Sequence, residues 1–349
     1  MNKLKIAVLF GGCSPEYGIS LQSAYSVISH LDAEKYEPVM LGITKSGEWL
    51  CFSGTPEKIS NDTWNNPADC IKAIISPDRK THGVLVFDGN NPHSIRLDAA
   101  MPVLHGKNGE DGTVQGLLEL AGIPTIGCKT LASALCMDKN KAHKLAGAAG
   151  VSIPRSFAIK KETSVTACLE QAENLGYPLF VKPVKAGSSY GITKVLSKAE
   201  LPDAINLAFE YDDEVVVEEN ISGFEIGCAV LGNDILVIGQ LDEIELTDGF
   251  FDYKEKYTLE MSSIHVPARI SMQKAEEAKE TAKIIYRALG CTGFARVDMF
   301  LTPSGEIVFN EVNTIPGFTA HSRYPNMLKA VDITFEQIIN TAIQLAIGK

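Results

Sequence analysis

With 349 residues, the chain is long enough for two or three globular domains. Its formal net charge of −11 and pI near 5.2 argue against nucleic acid or an acidic membrane surface as the main partner, because phosphate-rich surfaces attract basic patches. The segment "MNKLKIAVLFGG" predicts a buried strand and not a signal peptide. No apolar run is long enough to predict a membrane span. The eight cysteines lack CxxC pairs, and this pattern predicts reduced thiols in a cytoplasmic protein.

Strand and helix patterns alternate over the first 130 residues. Residues 4–10 predict a strand that ends in two glycines, and an amphipathic helix follows. The segments "YEPVMLGI" and "GVLVFD" predict further strands, and a polar glycine-rich loop leads into a helix that ends at Gly122. This alternation predicts a doubly wound α/β domain over residues 1–130.

The pattern changes to α+β after residue 130. A helix is predicted to begin at Asp138 and end at Gly150, and the stretches "YPLFVKPVKAGSSYGITKV" and "DEVVVEENISGFEIGCAVLGNDILVIGQLDEIEL" predict antiparallel strands. Three more elements follow, a helix over 272–289, a hairpin over 294–313 and a helix over 332–347. These elements predict a central domain over 131–217 and a C-terminal domain over 218–349.

The hairpin ends in oxygen-bearing side chains where a buried strand would be apolar. In "IVFNEVN", Glu311 and Asn313 are two residues apart, so both side chains point to one face of the strand. Asp298 on the preceding strand is expected on that face, and the three oxygen-bearing groups predict a site for a hard cation such as Mg²⁺. Arg296 shares the face. The alternative is a solvated sheet face lined by polar side chains, although apolar residues fill the alternate positions.

The turn of this hairpin sets the register that groups these side chains. If the loop is Thr302–Gly305, Leu301 pairs with Glu306. Asp298 then lies opposite Phe309.

The loop "KPVKAGSSYG", residues 182–191, is rich in small residues, whose backbone N–H groups can approach phosphate oxygens. Lys182 adds a point charge for phosphate. The loop lacks GxxxxGK[ST] and is flanked by strands, so it is not a P-loop, and an ordinary hairpin is the alternative. The segment "LFGGCSPE" lacks GxGxxG, which argues against a nicotinamide cofactor.

Several motifs together carry a family resemblance. They are, in chain order, "GGCSPEYGISL", "LHGKNGEDG", "MDKNKAHK", "VKPVKAGSSYGITKV", "EENISGFE", "DYKEKYT", "ARVDMF" and "NEVNTIPGFTAHS". As a set they resemble the D-alanine:D-alanine ligase family of ATP-grasp enzymes. The resemblance implies an α/β N-terminal domain and two α+β ATP-grasp units, with ATP held between two antiparallel sheets. It also implies two Mg²⁺ ions, or Mn²⁺ in their place, a cytoplasmic homodimer, and a product used as a peptidoglycan precursor.

The resemblance assigns roles by position. The phosphates of the nucleotide are matched to Lys139, Lys182 and Lys256, and its adenine and ribose to Glu218 and Glu225. The metal ligands are matched to Asp298, Glu311 and Asn313, and the oxyanion site to Arg296 and the N–H of Gly317. Glu16 is matched to the group that receives the ammonium of the first substrate, linked to the positions of Ser188 and Tyr257. His105 matches a first-subsite residue, and a structural role for this histidine is the alternative.

The family's reaction activates a carboxylate with the γ-phosphoryl group of ATP, and an amine then attacks the acyl phosphate. Because water would hydrolyse that acyl phosphate, the aperiodic stretch 246–263 is expected to close over the site as a lid. Lys256 and Tyr257 are its expected working residues. An ordinary surface loop is the alternative.

The second-substrate region departs from the family's common pattern. D-alanine-adding ligases usually carry leucine after "TAHS", whereas this chain has Arg323 after Ser322, and Phe251 stands where tyrosine is common. A guanidinium could bind a hydroxyl that D-alanine lacks, with Asp242 as its acidic partner. The hypothesis is a D-alanine:D-serine ligase that resembles vancomycin-resistance enzymes. The alternatives for Arg323 are a surface salt bridge and a carboxylate clamp common to any amino acid, either of which suits an ordinary D-alanine:D-alanine ligase. The alternatives for the function as a whole are a D-lactate-adding enzyme, another ATP-grasp ligase, and a non-catalytic nucleotide-binding module.

Overall fold

The computed structural model describes residues 3–89, 91–187, 190–246, 262–319 and 321–348. Within these ranges the chain forms three β-sheets that follow one another along the sequence. No helix in these ranges has both the length and the apolar character needed to cross a membrane.

The N-terminal sheet is a mixed sheet. Its strands are β1 (Leu4–Gly11), β2 (Tyr36–Ile43), β3 (Trp49–Phe52), β4 (Cys70–Ile75), β5 (Gly83–Val86), β6 (His93–Arg96) and β7 (Ala99–Pro102). They lie in the order β6-β5-β4-β3-β2-β1-β7. The helices of this part are α1 (Tyr17–Ser29), α2 (Pro56–Ser60) and α3 (Thr113–Ala121), and α3 ends at Gly122 as predicted.

The α/β class of this part is confirmed, but the doubly wound arrangement is wrong. Strand β1 is parallel to β2 and β7, whereas β2 through β6 form an antiparallel meander. A parallel neighbour needs a crossover connection of a dozen or more residues. Between β2 and β3 the chain instead reverses in a tight turn, in which Gly47 N–H donates to the Thr44 carbonyl at 2.9 Å.

The central sheet is antiparallel. It consists of β8 (Ser156–Lys160), β9 (Leu179–Pro183), β10 (Thr193–Val195) and β11 (Glu214–Glu219), in the order β10-β9-β11-β8. Its helices are α6 (Val165–Leu175) and α7 (Leu201–Ala208), and two helices lead into it, α4 (Thr130–Met137) and α5 (Lys139–Ala148). Asp138 caps α5 as the sequence predicts, because its carboxylate accepts the Lys141 N–H at 2.9 Å.

The C-terminal sheet is also antiparallel. It contains β12 (Phe224–Gly232), β13 (Leu236–Ile238), β14 (Asp242–Leu246), β15 (Ser262–His265), β16 (Phe294–Leu301) and β17 (Ile307–Asn313). The order is β15-β14-β12-β16-β17, with β13 paired to β12. Its helices are α8 (Met272–Ala288), α9 (Arg323–Lys329) and α10 (Phe335–Ile347). Helix α10 begins later than predicted because Thr334 and Gln337 form a capping box.

The first and last parts of the chain share a hydrophobic core. Tyr324 of α9 and Ile339 of α10 are buried in the same cluster as Phe10 and Leu21. The N-terminal α/β unit is therefore packed against the unit that carries the C-terminal sheet. We propose the same three-part division as the sequence does, with the second boundary moved past Glu219 because β11 extends to that residue.

Candidate active site

A cleft of about 470 Å³ is lined by residues from all three parts of the chain. The predicted site residues that line it are Glu16, His105, Lys139, Arg296, Glu311, Asn313, Gly317, Ser322 and Arg323. The predicted residues Ser188, Phe251, Lys256 and Tyr257 lie outside the described residues, as does most of the predicted lid 246–263.

A row of cross-strand neighbours runs over the C-terminal sheet and carries most of its charge. Asp242 of β14 pairs with Gly227 of β12, and Gly227 pairs with Asp298 of β16. Asp298 in turn pairs with Glu311 of β17. Because directly opposed residues point to the same face, this row brings three carboxylates together around a glycine.

The predicted register of the β16–β17 hairpin is wrong, although its main consequence holds. The structure pairs Leu301 with Ile307 instead of Glu306, and Asp298 with Glu311 instead of Phe309. A β-bulge between Asp298 and Met299 adds Asn310 as the extra residue of β17. The longer turn and the bulge together shift the pairing, and Asp298 still shares a face with Glu311.

Arg323 lies over Gly227 at the centre of this row. Its Nε and Nη2 donate to Asp242 at 2.6 and 2.8 Å, and its Nη1 donates to Glu225 at 2.8 Å. Nη2 is also 3.4 Å from Oδ1 of Asp298. A Cβ at position 227 would be 2.4 Å from Nη2, so the missing side chain of Gly227 is what makes room for the guanidinium. The predicted pairing of Arg323 with Asp242 is confirmed.

This arginine is not part of a surface salt bridge. Arg323 is 8% exposed and Asp242 is fully buried. Burial opposes the charged form, yet the carboxylates of Asp242 and Asp298 raise the pKa of Arg323 above its ordinary value. The guanidinium is therefore a fixed positive charge in the wall of the cleft.

The predicted metal ligands form a hydrogen-bonded group. Arg296 donates to Asp298 through Nε at 2.8 Å and Nη2 at 2.7 Å, and the Asn313 amide donates to Asp298 at 2.8 Å. Glu311 lies 3.9 Å from the ammonium of Lys139. Among the described residues no three acidic, histidine or cysteine side chains are arranged to hold a metal. A divalent cation would therefore also need the Asn313 oxygen and phosphate oxygens of a substrate, and this oxygen-only donor set fits Mg²⁺.

The predicted nucleotide contacts Lys182 and Glu218 form a buried ion pair across β9 and β11. Oε2 of Glu218 is buried and has no hydrogen-bond partner among the described residues. A buried acceptor without a donor is costly, and a ligand N–H such as an adenine amino group would satisfy it. Lys139 approaches the same region, where its ammonium donates to the Ala186 carbonyl at 2.8 Å. These residues fit a nucleotide.

His143 is a candidate that sequence reasoning missed. Its Nε2 is 2.7 Å from the Asn310 carbonyl, and its Nδ1 is buried without a partner among the described residues. Burial lowers the pKa of His143, so the neutral ring presents Nδ1 as an acceptor. The available signal was its position four residues after Lys139, which places both on one face of α5.

A second missed residue lies beside Glu16. The Glu16 carboxylate is buried against the loop that contains Gly106, where an added Cβ would be 2.5 Å from Oε2 of Glu16. Glu110 accepts the Gly106 N–H at 2.8 Å and the Ile315 N–H at 3.3 Å. Burial, together with the Glu16 carboxylate, raises the pKa of Glu110 to about 8. In the sequence this acid is one of several polar residues in a glycine-rich loop, so no pattern distinguished it.

Ser322 and His105 both line the cleft. The Ser322 hydroxyl accepts the Thr319 N–H at 3.0 Å and would lie 2.8 Å from a Cβ at Gly317. Nε2 of His105 is 3.4 Å from the hydroxyl of Ser23. Both side chains therefore hold the wall of the cleft.

The comparisons with known proteins agree over the whole chain. Residues 5–128 match the family profile described as D-ala D-ala ligase N-terminus, and residues 145–344 match that of the D-ala D-ala ligase C-terminus. The crystal structure of the VanG D-Ala:D-Ser ligase from Enterococcus faecalis is 55% identical with a TM-score of 0.93, over 99% of this chain and 100% of that one. The vancomycin B-type resistance protein VanB from Enterococcus faecalis is 47% identical over 100% of both chains. A D-alanine–D-alanine ligase from Caldicellulosiruptor bescii is 43% identical, over 100% of this chain and 96% of that protein.

Proposed function

The chain belongs to the D-alanine:D-alanine ligase family of ATP-dependent, ATP-grasp carboxylate–amine ligases, and we propose that it joins D-alanine to D-serine. The observation that carries the proposal is the buried guanidinium of Arg323 in the cleft wall. An ordinary D-alanine:D-alanine ligase is the second candidate, because a relative named for that activity matches over the full length.

Arg323 suits a hydroxyl-bearing second substrate because it is fixed before the substrate arrives. Asp242 and Glu225 engage Nε, Nη2 and one hydrogen of Nη1, and Oδ1 of Asp298 is 3.4 Å from Nη2. A guanidinium has five N–H donors, so among the described residues the second hydrogen of Nη1 remains on a group whose position is already set. A site that offers a donor to a hydroxyl discriminates against a substrate that lacks it, since the donor is then left unpaired. The likeness to a D-Ala:D-Ser ligase supports the same assignment.

The first step moves the γ-phosphoryl group of ATP onto the carboxylate of D-alanine, which gives D-alanyl phosphate and ADP. The family uses ATP and Mg²⁺, and Asp298, Glu311 and Asn313 would hold the metal, which supplies positive charge to the phosphates. Lys139 and Lys182 hold phosphate oxygens. Phosphoryl transfer depends mainly on positioning and electrostatic stabilisation, and these residues supply both.

In the second step the amine of D-serine attacks the acyl carbon, phosphate leaves, and the amine loses a proton. Negative charge builds on the carbonyl oxygen, and Arg296 and the N–H of Gly317 stabilise it. The fact that both residues line the cleft supports this role. Glu16 holds the ammonium of the first D-alanine at the N-terminal end of α1. A cytoplasmic homodimer and a product that enters peptidoglycan synthesis, as in vancomycin resistance, complete the proposal.

Phosphate release with D-alanine alone and with D-alanine plus D-serine tests the proposal. We expect faster release with both amino acids and D-alanyl-D-serine as the main product by mass spectrometry. L-serine is the control for chirality, and the Asp298→Asn variant gives the background rate. Equal rates with and without D-serine, or D-alanyl-D-alanine as the main product from the mixture, would overturn the D-serine assignment in favour of the second candidate.

A further inference from the structure

The cleft wall at residues 315–318 is held from the N-terminal part of the chain. Ile315, Pro316 and Gly317 line the cleft, and the residues on either side of Pro316–Gly317 are anchored to side chains of the α/β unit. Phe318 N–H donates to the hydroxyl of Ser23 at 3.3 Å. Ile315 N–H donates to Glu110 at 3.3 Å.

His105 supports the anchor at Ser23, because its Nε2 is 3.4 Å from the Ser23 hydroxyl. Burial lowers the pKa of His105, and this favours the neutral ring. In the neutral ring Nε2 accepts from the Ser23 hydroxyl, and the Ser23 oxygen accepts from the Phe318 N–H.

The bonds therefore run in one consistent direction, from the Phe318 amide through the Ser23 hydroxyl to Nε2 of His105. Ser23 is fully buried and His105 nearly so, and Phe318 and Ile315 are also buried. Buried hydrogen bonds of this kind fix geometry because each broken one leaves an unpaired group. Gly317 lies between the two anchored residues. Because it has no side chain that could make its own contacts, its position depends on these neighbours.

We infer that Ser23, His105 and Glu110 form a clamp through which the N-terminal α/β unit sets the position of the Gly317 N–H. Ser23 is then a positioning residue that acts through Phe318, and Glu110, which also lines the cleft, positions Ile315. The inference rests on the proposed function to the extent that the Gly317 N–H stabilises the oxyanion. It also assigns the structural role to His105.

Ser20 provides a matched control for Ser23. It lies one turn earlier on α1 and is also fully buried. Its hydroxyl accepts the Gly11 N–H at 2.8 Å and donates to the Val103 carbonyl, so its contacts stay within the N-terminal sheet. Ser23→Ala and Ser20→Ala each remove one buried hydroxyl with two partners, and both should lower the melting temperature to a similar degree.

The two variants should differ in turnover. A small displacement of an oxyanion donor weakens its stabilisation of the transition state, so Ser23→Ala should lower kcat roughly tenfold or more. The KM for ATP should change less than about threefold in this variant. Ser20→Ala should keep kcat within about twofold of the unaltered protein. Equal kcat values for the two variants would overturn the clamp. If Ser23→Ala does not fold, Glu110→Ala, which releases the other anchor at Ile315, should give the same loss of kcat, and an unchanged kcat there overturns the clamp as well.

Failure of the clamp and failure of the proposed function give different results. Kinetics are measured with whichever second amino acid the unaltered protein uses, so a preference for D-alanine leaves the comparison of Ser23 with Ser20 intact. If the unaltered protein has no ligase turnover, hydrogen exchange of the peptide that contains Ile315 and Phe318 decides. Faster exchange in Ser23→Ala than in Ser20→Ala supports the clamp, and equal exchange overturns it.

Discussion

Replacing Arg323 with leucine should change stability and specificity together. The guanidinium makes two hydrogen bonds to Asp242 and one to Glu225. Its removal leaves the carboxylate of Asp242, which is fully buried, with the Gly227 N–H at 2.8 Å as its one remaining hydrogen-bond donor among the described residues. Breaking a buried ion pair by removing one partner costs about 3–5 kcal/mol, because the remaining charge stays uncompensated.

A compensated variant separates the two effects. In the double variant Arg323→Leu with Asp242→Asn, no unpaired charge remains at position 242, and the amide oxygen still accepts the Gly227 N–H. This variant should recover most of the lost stability. It should not recover the preference for D-serine, because the donor that would bind the hydroxyl is gone.

The assays are chemical denaturation and phosphate release from D-alanine with and without D-serine. We expect the ratio of D-serine to D-alanine incorporation to fall roughly a hundredfold or more in both variants, the range in which polar recognition discriminates. A single variant that keeps the ratio would refute the specificity argument. A double variant as unstable as the single one would refute the ion-pair argument.

Three further changes test other parts of the site. Gly227→Ala would place a Cβ 2.4 Å from Nη2 of Arg323 and displace the guanidinium. It should therefore lower the preference for D-serine in the phosphate-release assay, as Arg323→Leu should. Unchanged selectivity would contradict the conclusion that Gly227 makes room for the guanidinium. Glu218→Gln leaves the buried Lys182 without its ionic partner, and KM for ATP should rise at least about tenfold with KM for D-alanine nearly unchanged. In the folded chain burial raises the pKa of Glu110 from 4.5 to about 8. Between these pH values the folded chain keeps a proton on Glu110 that the unfolded chain has lost. The free energy of unfolding therefore falls as the pH rises from 4.5 to about 8. Glu110→Gln should flatten that fall in melting temperature, and an unchanged slope would count against it.

Strand parity predicted which charged residues share a face, because it depends only on the alternation of side chains along a strand. Glu311 and Asn313 follow from that rule, and Asp298 joins them in the structure. The register was wrong because it depends on the length of the turn and on a bulge at Asn310, and neither leaves a reliable mark in a single sequence.

The partners of Arg323 show the same limit at longer range. Asp242 could be proposed from its charge and its place before the predicted lid, and it does bind Arg323. Glu225 and Asp298 became partners only because β12 lies between β14 and β16 in the sheet. Strand order depends on packing of the whole unit. The same reason explains the N-terminal part, where alternating elements predicted parallel strands and short turns gave a meander instead.

The charge balance of the row explains why it suits both a cation and an arginine. Asp242, Glu225, Asp298 and Glu311 bring four carboxylates against the two guanidiniums of Arg296 and Arg323, and the ammonium of Lys139 is 3.9 Å from Glu311. One negative charge remains in excess, and it favours a cation at the exposed end of the row, near Glu311. The buried end, at Asp242, has no such access and is neutralised by Arg323. A leucine at position 323 would therefore fit only with a neutral residue at 242, so the residues proposed to select the second substrate act as a unit with the sheet beneath them.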